Sequence, residues 1–283
     1  MAATVSDAGL DEKWPFYTTP AIVDVRGLAT AYRREGSGRV VVYIHGLGLT
    51  GKWLPFHQAL SRGVDLIAPE QPGFGETPLP PWLRSIDDVV IHLDDLFETI
   101  GIEQLHLVGH GLGGWIAARF AVVYPRRLRT LTLVSPLGLR VAGSPLYDFF
   151  RMTPDEADGI LLNGTGDSYR DQLDNGEPVE ALVRSYGEIT AAARIAWNPR
   201  YDVRFERLLE RVSCPALVVA AQDDRLLPRA HCERYVDLLP DARLEVIEGS
   251  QTPTSHLSLV QEPDRLAEVI ATFVVDHEGH SHA

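Results

Sequence analysis

Short, nearly continuous apolar runs alternate with amphipathic helical patterns over residues 39–134 and again from 215 to the C-terminus. That alternation predicts an α/β fold, a mostly parallel central sheet with helices on both faces. The runs Val40-Val41-Val42-Tyr43-Ile44, Leu105-His106-Leu107-Val108, Leu131-Thr132-Leu133-Val134 and Ala216-Leu217-Val218-Val219-Ala220 do not alternate, the pattern of strands buried on both sides. Ile86, Val89, Val90, Leu93, Leu96, Phe97 and Ile100 recur at helical spacing behind Ser85 and Asp88, a capping-box pair. Residues 21–26 and 28–34 read as an antiparallel hairpin at the sheet edge.

After Ser135-Pro136 the alternation stops, and residues 136–212 read as helices and loops. The expected organisation is a core of residues 21–135 and 213–275, a helical cap insertion at 136–212, and terminal extensions at 1–20 and 276–283. Asn163-Gly164-Thr165-Gly166-Asp167 and Asp174-Asn175-Gly176-Glu177-Pro178 mark loops of the insertion. Its Leu146, Tyr147, Phe149, Phe150, Met152, Tyr186, Ile195 and Trp197 either line an apolar cap over a site or pack its helices on one another.

With 45% hydrophobic residues in 283, the chain can bury a large core. A net charge of −13 has the wrong sign for nucleic acid or anionic lipid, and no apolar stretch reaches the roughly 18 residues needed to span a bilayer. No signal peptide is visible at the N-terminus, so a cytoplasmic protein with Cys214 and Cys232 as reduced thiols is expected. The sequence leaves room for homo-oligomers and points to a small molecule as partner.

Leu105 to Gly114 reads L-H-L-V-G-H-G-L-G-G, a buried strand ending in a glycine-rich turn that opens a helix. It resembles the nucleophile elbow G-x-S-x-G of the α/β-hydrolases, with Gly109, Gly111 and Gly113 on the fixed positions and Gly111 where the family carries serine. A dinucleotide-binding glycine turn would follow the first parallel strand directly, and this one does not. That earlier strand ends instead in His45-Gly46-Leu47-Gly48, similar to the family's oxyanion segment. The resemblance implies backbone N–H donors at Leu47 and Leu112, with Gly46 allowing close approach and His45 read as a buried turn histidine.

The same resemblance, covering residues 21–275, places the family's acid at Asp224, four before Pro228 in the run following the strand at 216–220. Adjacent Asp223 is the natural control. Of ten histidines, His256 precedes Pro263 by the family's interval and follows the acid in the family's chain order. The preceding loop, residues 248–255, is longer than the family's short G-x-G-H. His277, His280 and His282 crowd a polar tail that reads as a solvated terminus rather than a metal site. The cap stretch Arg194-Ile195-Ala196-Trp197-Asn198-Pro199 is similar to cap segments of carbon–carbon and ester-cleaving members.

Without Oγ at Gly111, acyl-serine chemistry at that position is excluded, since losing the nucleophile alone costs on the order of 10⁶ in turnover. The family resemblance then implies an enzyme using His256 and Asp224 as a general base on water or a carbon acid, with a small, largely apolar carbonyl or ester-like substrate and no cofactor or metal. The alternatives are a ligand-binding pseudoenzyme, or a serine hydrolase whose nucleophile was deliberately replaced.

Overall fold

The computed structural model describes residues 16–173, 178–197, 201–202 and 204–277. Asp174 to Glu177, Asn198, Pro199, His280 and His282, singled out above, lie outside the described residues.

The strands are β1 (Ala21–Val25), β2 (Leu28–Gly36), β3 (Val40–Ile44), β4 (Asp65–Pro69), β5 (Leu105–His110), β6 (Leu128–Val134), β7 (Ala216–Ala221) and β8 (Ala242–Ile247). They form one eight-stranded sheet in the order β1-β2-β4-β3-β5-β6-β7-β8. The hairpin β1/β2 pairs antiparallel at the edge, β2 pairs antiparallel with β4, and every further pair is parallel. Strands β5, β6 and β7 are each buried or nearly so along their whole length, which accounts for their unbroken apolar runs. Strand β4 escaped the sequence reading because it opens on Asp65, whose carboxylate takes a bidentate pair from Arg34 of β2. Strand β8 is a half-buried edge.

The helices are α1 (Pro55–Ser61), α2 (Ile86–Thr99), α3 (Leu112–Val123), α4 (Pro154–Leu161), α5 (Arg170–Leu173), α6 (Pro178–Ala196), α7 (Phe205–Leu209), α8 (Ala230–Leu238), α9 (Ser258–Gln261) and α10 (Pro263–Asp276). Two apolar cores result, one on each face of the sheet: α2 and α3 pack over one, α1 and α10 over the other. Fully burying a Leu, Ile or Phe side chain contributes about 1.5–3 kcal/mol, and both layers hold many, among them Phe97, Phe120, Phe56 and Phe273. The Ser85–Asp88 capping box is present at α2, with Asp88 Oδ2 accepting from the Ser85 N–H at 2.9 Å. Between β6 and β7 the described chain runs as helices α4 to α7 and loops. Both cysteines are buried free thiols, and burial pushes the Cys214 thiol up to about 12. No helix among the described residues is long and apolar enough to cross a membrane.

Several histidines are buried without a carboxylate. His57 stacks on Trp53, and its Nδ1 accepts from the Leu54 N–H at 3.0 Å; burial, with Arg33 behind it, takes its pKa down to about 3. His92 meets the Thr30 hydroxyl at 3.1 Å and is lowered by burial to about 4. Each stays neutral in the fold but takes up a proton in the unfolded chain below about pH 6.5, so stability falls as pH drops through that window. Thermal melts should fall steadily from pH 7 to 4.5, by up to about 1.4 kcal/mol per pH unit for each such histidine. His57→Asn, which keeps an acceptor for Leu54, should make that slope shallower by about 1 kcal/mol per unit; an unchanged slope would refute the assignment.

Candidate active site

Strand β5 delivers the chain into a sharp turn at Gly111, which precedes α3 with φ +56° and ψ −115°. That left-handed backbone costs a residue with a side chain on the order of 1–3 kcal/mol and costs glycine little. Side chains are excluded on either side as well. A Cβ on Gly109 would stand 2.2 Å from the Gly113 carbonyl oxygen, and one on Gly113 2.1 Å from that of Ile44. The turn is held by its own backbone: the Gly111 N–H donates to Val134 O at 3.0 Å, and Gly111 O accepts from the Gly114 and Leu137 N–H groups.

Directly above Gly111 lies His256. A Cβ built on Gly111 would point at its Nε2 from 3.0 Å. His256 Nδ1 lies 3.0 Å from Asp224 Oδ2, and both side chains are almost fully buried. An ionised carboxylate can only accept, so Nδ1 carries the proton and Nε2 presents its lone pair. Asp224 Oδ1 accepts from the Leu226 and Leu227 N–H groups at 3.0 and 2.8 Å. Burial alone would raise the Asp224 carboxyl; the His256 ring and its hydrogen bond, with the Leu227 N–H, outweigh that and hold it below its ordinary value. Asp223 stands exposed against Arg225.

The long loop before His256 is firmly tied. Thr254 Oγ1 accepts from the Gln222 N–H at 2.9 Å and donates to Ile247 O, while Thr254 O accepts from the Asp223 N–H at 2.8 Å. Ser255 donates its N–H to Gln261 Oε1 at 2.7 Å and its hydroxyl to Ile160 O at 2.9 Å. Asn163, at φ +54°, bridges from the insertion with its amide to Asp223 O and Pro253 O. The extra loop length is absorbed in these contacts, and His256 is brought to the elbow.

Leu47, Leu112, His110 and His256 line a cavity of about 180 Å³ together with Phe149, Met152, Leu161, Ser185, Glu188 and Ile189 of the segment between β6 and β7. Leu112 is the first residue of α3, where backbone N–H groups lack intrahelical partners and the helix dipole favours negative charge. His45 and Gly46 shape the turn beneath instead of lining the cavity. His45 Nε2 accepts from the Gln71 N–H at 3.2 Å, and its Nδ1 donates to Gly46 O at 2.7 Å. Gly46 abuts the His110 ring, where a Cβ would come within 2.9 Å of Nδ1.

Two site residues escaped the sequence reading. His110 donates Nε2–H to His256 O at 2.9 Å, with ring centroids 4.9 Å apart. Burial, and then the neighbouring His256, lower it to about 3, so it stays neutral and steadies the His256 backbone. Its place between two elbow glycines was the available signal. Glu188, buried on α6, accepts from the Gly48 N–H at 3.1 Å and so fastens the insertion to the His45–Gly48 turn; a lone acid in a helix gave no such signal. Of the apolar residues proposed for a cap, Phe149 and Met152 reach the cavity, whereas Ile195 is core, Tyr186 is turned outward by the helical period, and Trp197, past the end of α6, is exposed beside Phe150.

The Asp224 contact sets the His256 tautomer, and nitrogen-15 NMR of histidine-labelled protein reads it directly. The wild type should show the Nδ1–H form. Asp224→Asn places an amide donor against that proton and should switch the ring to Nε2–H, whereas Asp223→Asn should change nothing. The same tautomer in both variants would refute the pairing.

The family model described as the alpha/beta hydrolase family matches residues 41–269. The dihydrolipoyllysine-residue acetyltransferase component of the acetoin cleaving system of Cupriavidus necator is 32% identical over 253 residues, covering 82% of this chain and 68% of that protein. A 2-hydroxy-6-oxo-6-(2'-aminophenyl)hexa-2,4-dienoic acid hydrolase of Metapseudomonas resinovorans is 26% identical, covering 89% of each chain. Among solved structures, a meta-cleavage product hydrolase of Pseudomonas fluorescens superposes with a TM-score of 0.72 at 23% identity, covering 91% of this chain and 98% of the other, a likeness of fold. With the elbow, the parallel sheet and the family match in agreement, the chain belongs to the alpha/beta hydrolase family.

Proposed function

We propose that the protein is an enzyme acting on a small, largely apolar carbonyl or ester-like compound, with His256 and Asp224 as general base and no acyl-serine step. The observation carrying this reading is the approach of His256 Nε2 to within 3.0 Å of where a Gly111 side chain would begin. Nε2 has no hydrogen-bond partner among the described residues, while Asp224 fixes the opposite edge of the ring. A water there gives its proton to Nε2 as its oxygen attacks the substrate carbonyl; the imidazolium so formed is stabilised by Asp224 and returns the proton to the leaving group. An acidic C–H beside a carbonyl could lose its proton to the same atom. The Leu47 and Leu112 N–H groups serve the developing oxyanion. At about 180 Å³ the cavity lies below the roughly 300–1,000 Å³ of pockets for drug-sized ligands, which favours a small substrate.

The other reading is a ligand-binding pseudoenzyme, favoured by the same bare Gly111. Gly111→Ser separates them. Its Cβ requires the His256 ring to give by a few tenths of an ångström, at a cost of about 1–3 kcal/mol. Intact mass after treatment with a fluorophosphonate should show labelling of Gly111→Ser but not of the wild type or of Gly111→Ser with His256→Ala. A folded, unlabelled Gly111→Ser variant would mean that His256 cannot act as a base there. In the unchanged protein, turnover of small activated esters should fall at least about 100-fold on His256→Ala. No turnover in either form, with equal affinity for the same ester, would assign the pocket to binding.

A further inference from the structure

Helix α6 is apolar on two opposite faces. One is buried: Glu188, Ala191, Ala192 and Ile195 point inward. The other is open, with Val179 at 74%, Leu182 at 61%, Val183 at 66% and Tyr186 at 71% exposure, and Ile189 at its edge beside the cavity. At 100° per residue these outward side chains fall within an arc of about 120°; Trp197, just past the helix end, lies instead with its ring 5.0 Å from that of Phe150. An apolar stripe of this kind belongs to a helix packed on both sides.

We propose that the outward stripe of α6 binds the same stripe of a second copy, antiparallel about Gly187, making the protein a reversible homodimer. Charge selects this arrangement. Glu180 and Arg194 lie on the same flank of the stripe, both exposed and neither ion-paired with a described residue. Antiparallel packing about Gly187 sets Glu180 of each copy level with Arg194 of the other on one side of the seam, whereas a parallel two-fold pair would put the two charged flanks on opposite sides and pair neither. Shape agrees as well. Leu182 and Val183 of one copy come within one residue's rise of the smaller Ala193 and Thr190 of the other. At the Val179 end, Val179 and Val183 wall an open cleft of about 450 Å³ against Gly73 and Gly75. A lipid surface is the weaker occupant, because the flanks carry mixed charge and the chain has net charge −13.

Helix α6 is about 28 Å long and the seam roughly a helix wide, less than a standard interface, so a micromolar dissociation constant is expected. Sedimentation velocity of the full chain from about 1 to 200 μM reads it. The wild type should dimerise reversibly, and Tyr186→Glu should raise the dissociation constant at least about 50-fold with the melting temperature unchanged. Glu180→Arg should weaken the dimer about 3–10-fold, and adding Arg194→Glu should restore it to within about twofold. A monomer at every concentration overturns the proposal. So does a dimer indifferent to Tyr186→Glu, or a monomer that instead co-sediments with phosphatidylcholine vesicles. A double charge reversal no tighter than Glu180→Arg alone overturns the antiparallel register.

Discussion

The site depends on one close backbone contact, that of Gly113 in the first turn of α3 against the carbonyls of Ile44 and His45 at the end of β3. No side chain fits there, so the helix start can lie directly on the neighbouring strand. That contact sets the 45–48 turn beside the elbow and brings Leu47 and Leu112 to one cavity wall. From it follows the orientation of α3, whose free N–H groups face the space beneath His256. A methyl group at Gly109 or Gly113 would separate β5, α3 and β3, and the site would come apart while much of the apolar core remained packed.

His256 is positioned by groups from separate parts of the chain, one of them within the elbow. Asp224 holds the ring, His110 holds the backbone carbonyl, and Thr254 and Ser255 hold the loop to β7, β8 and α4. Burial keeps His110 neutral, so it donates a hydrogen bond without setting a second charge beside His256. Asn163 ties the segment after α4 to the same two loops, and Glu188 ties α6 to Gly48. The segment between β6 and β7 is thus fastened to the core beside His256 and the 45–48 turn.

The fold was legible where burial is symmetric. Strands β3, β5, β6 and β7 are covered on both faces and read as continuous apolar runs; α2 announced itself by period and cap. Strands β4 and β8 were not legible, one because a charged residue opens it against Arg34, the other because an edge mixes exposed and buried positions. At the site, motif and spacing reached Gly111, Asp224 and His256, but the difference between Asp224 and Asp223 is one of direction, visible only once the loop is folded. His110 and Glu188 act through backbone atoms far away in sequence, and no local pattern encodes a partner 146 or 140 residues away.

Why the arrangement stands without a side chain at position 111 follows from what holds the turn. Its hydrogen bonds run from backbone to backbone, its shape is set by the glycines at 109 and 113, and its φ of +56° is one that glycine adopts without strain. His256 likewise takes its orientation from Asp224, Thr254, Ser255 and His110. Nothing in this scaffold needs an atom beyond Cα at Gly111. A side chain there would be a passenger on the turn and strained by it, so its absence relieves the backbone and leaves His256 Nε2 facing the cavity.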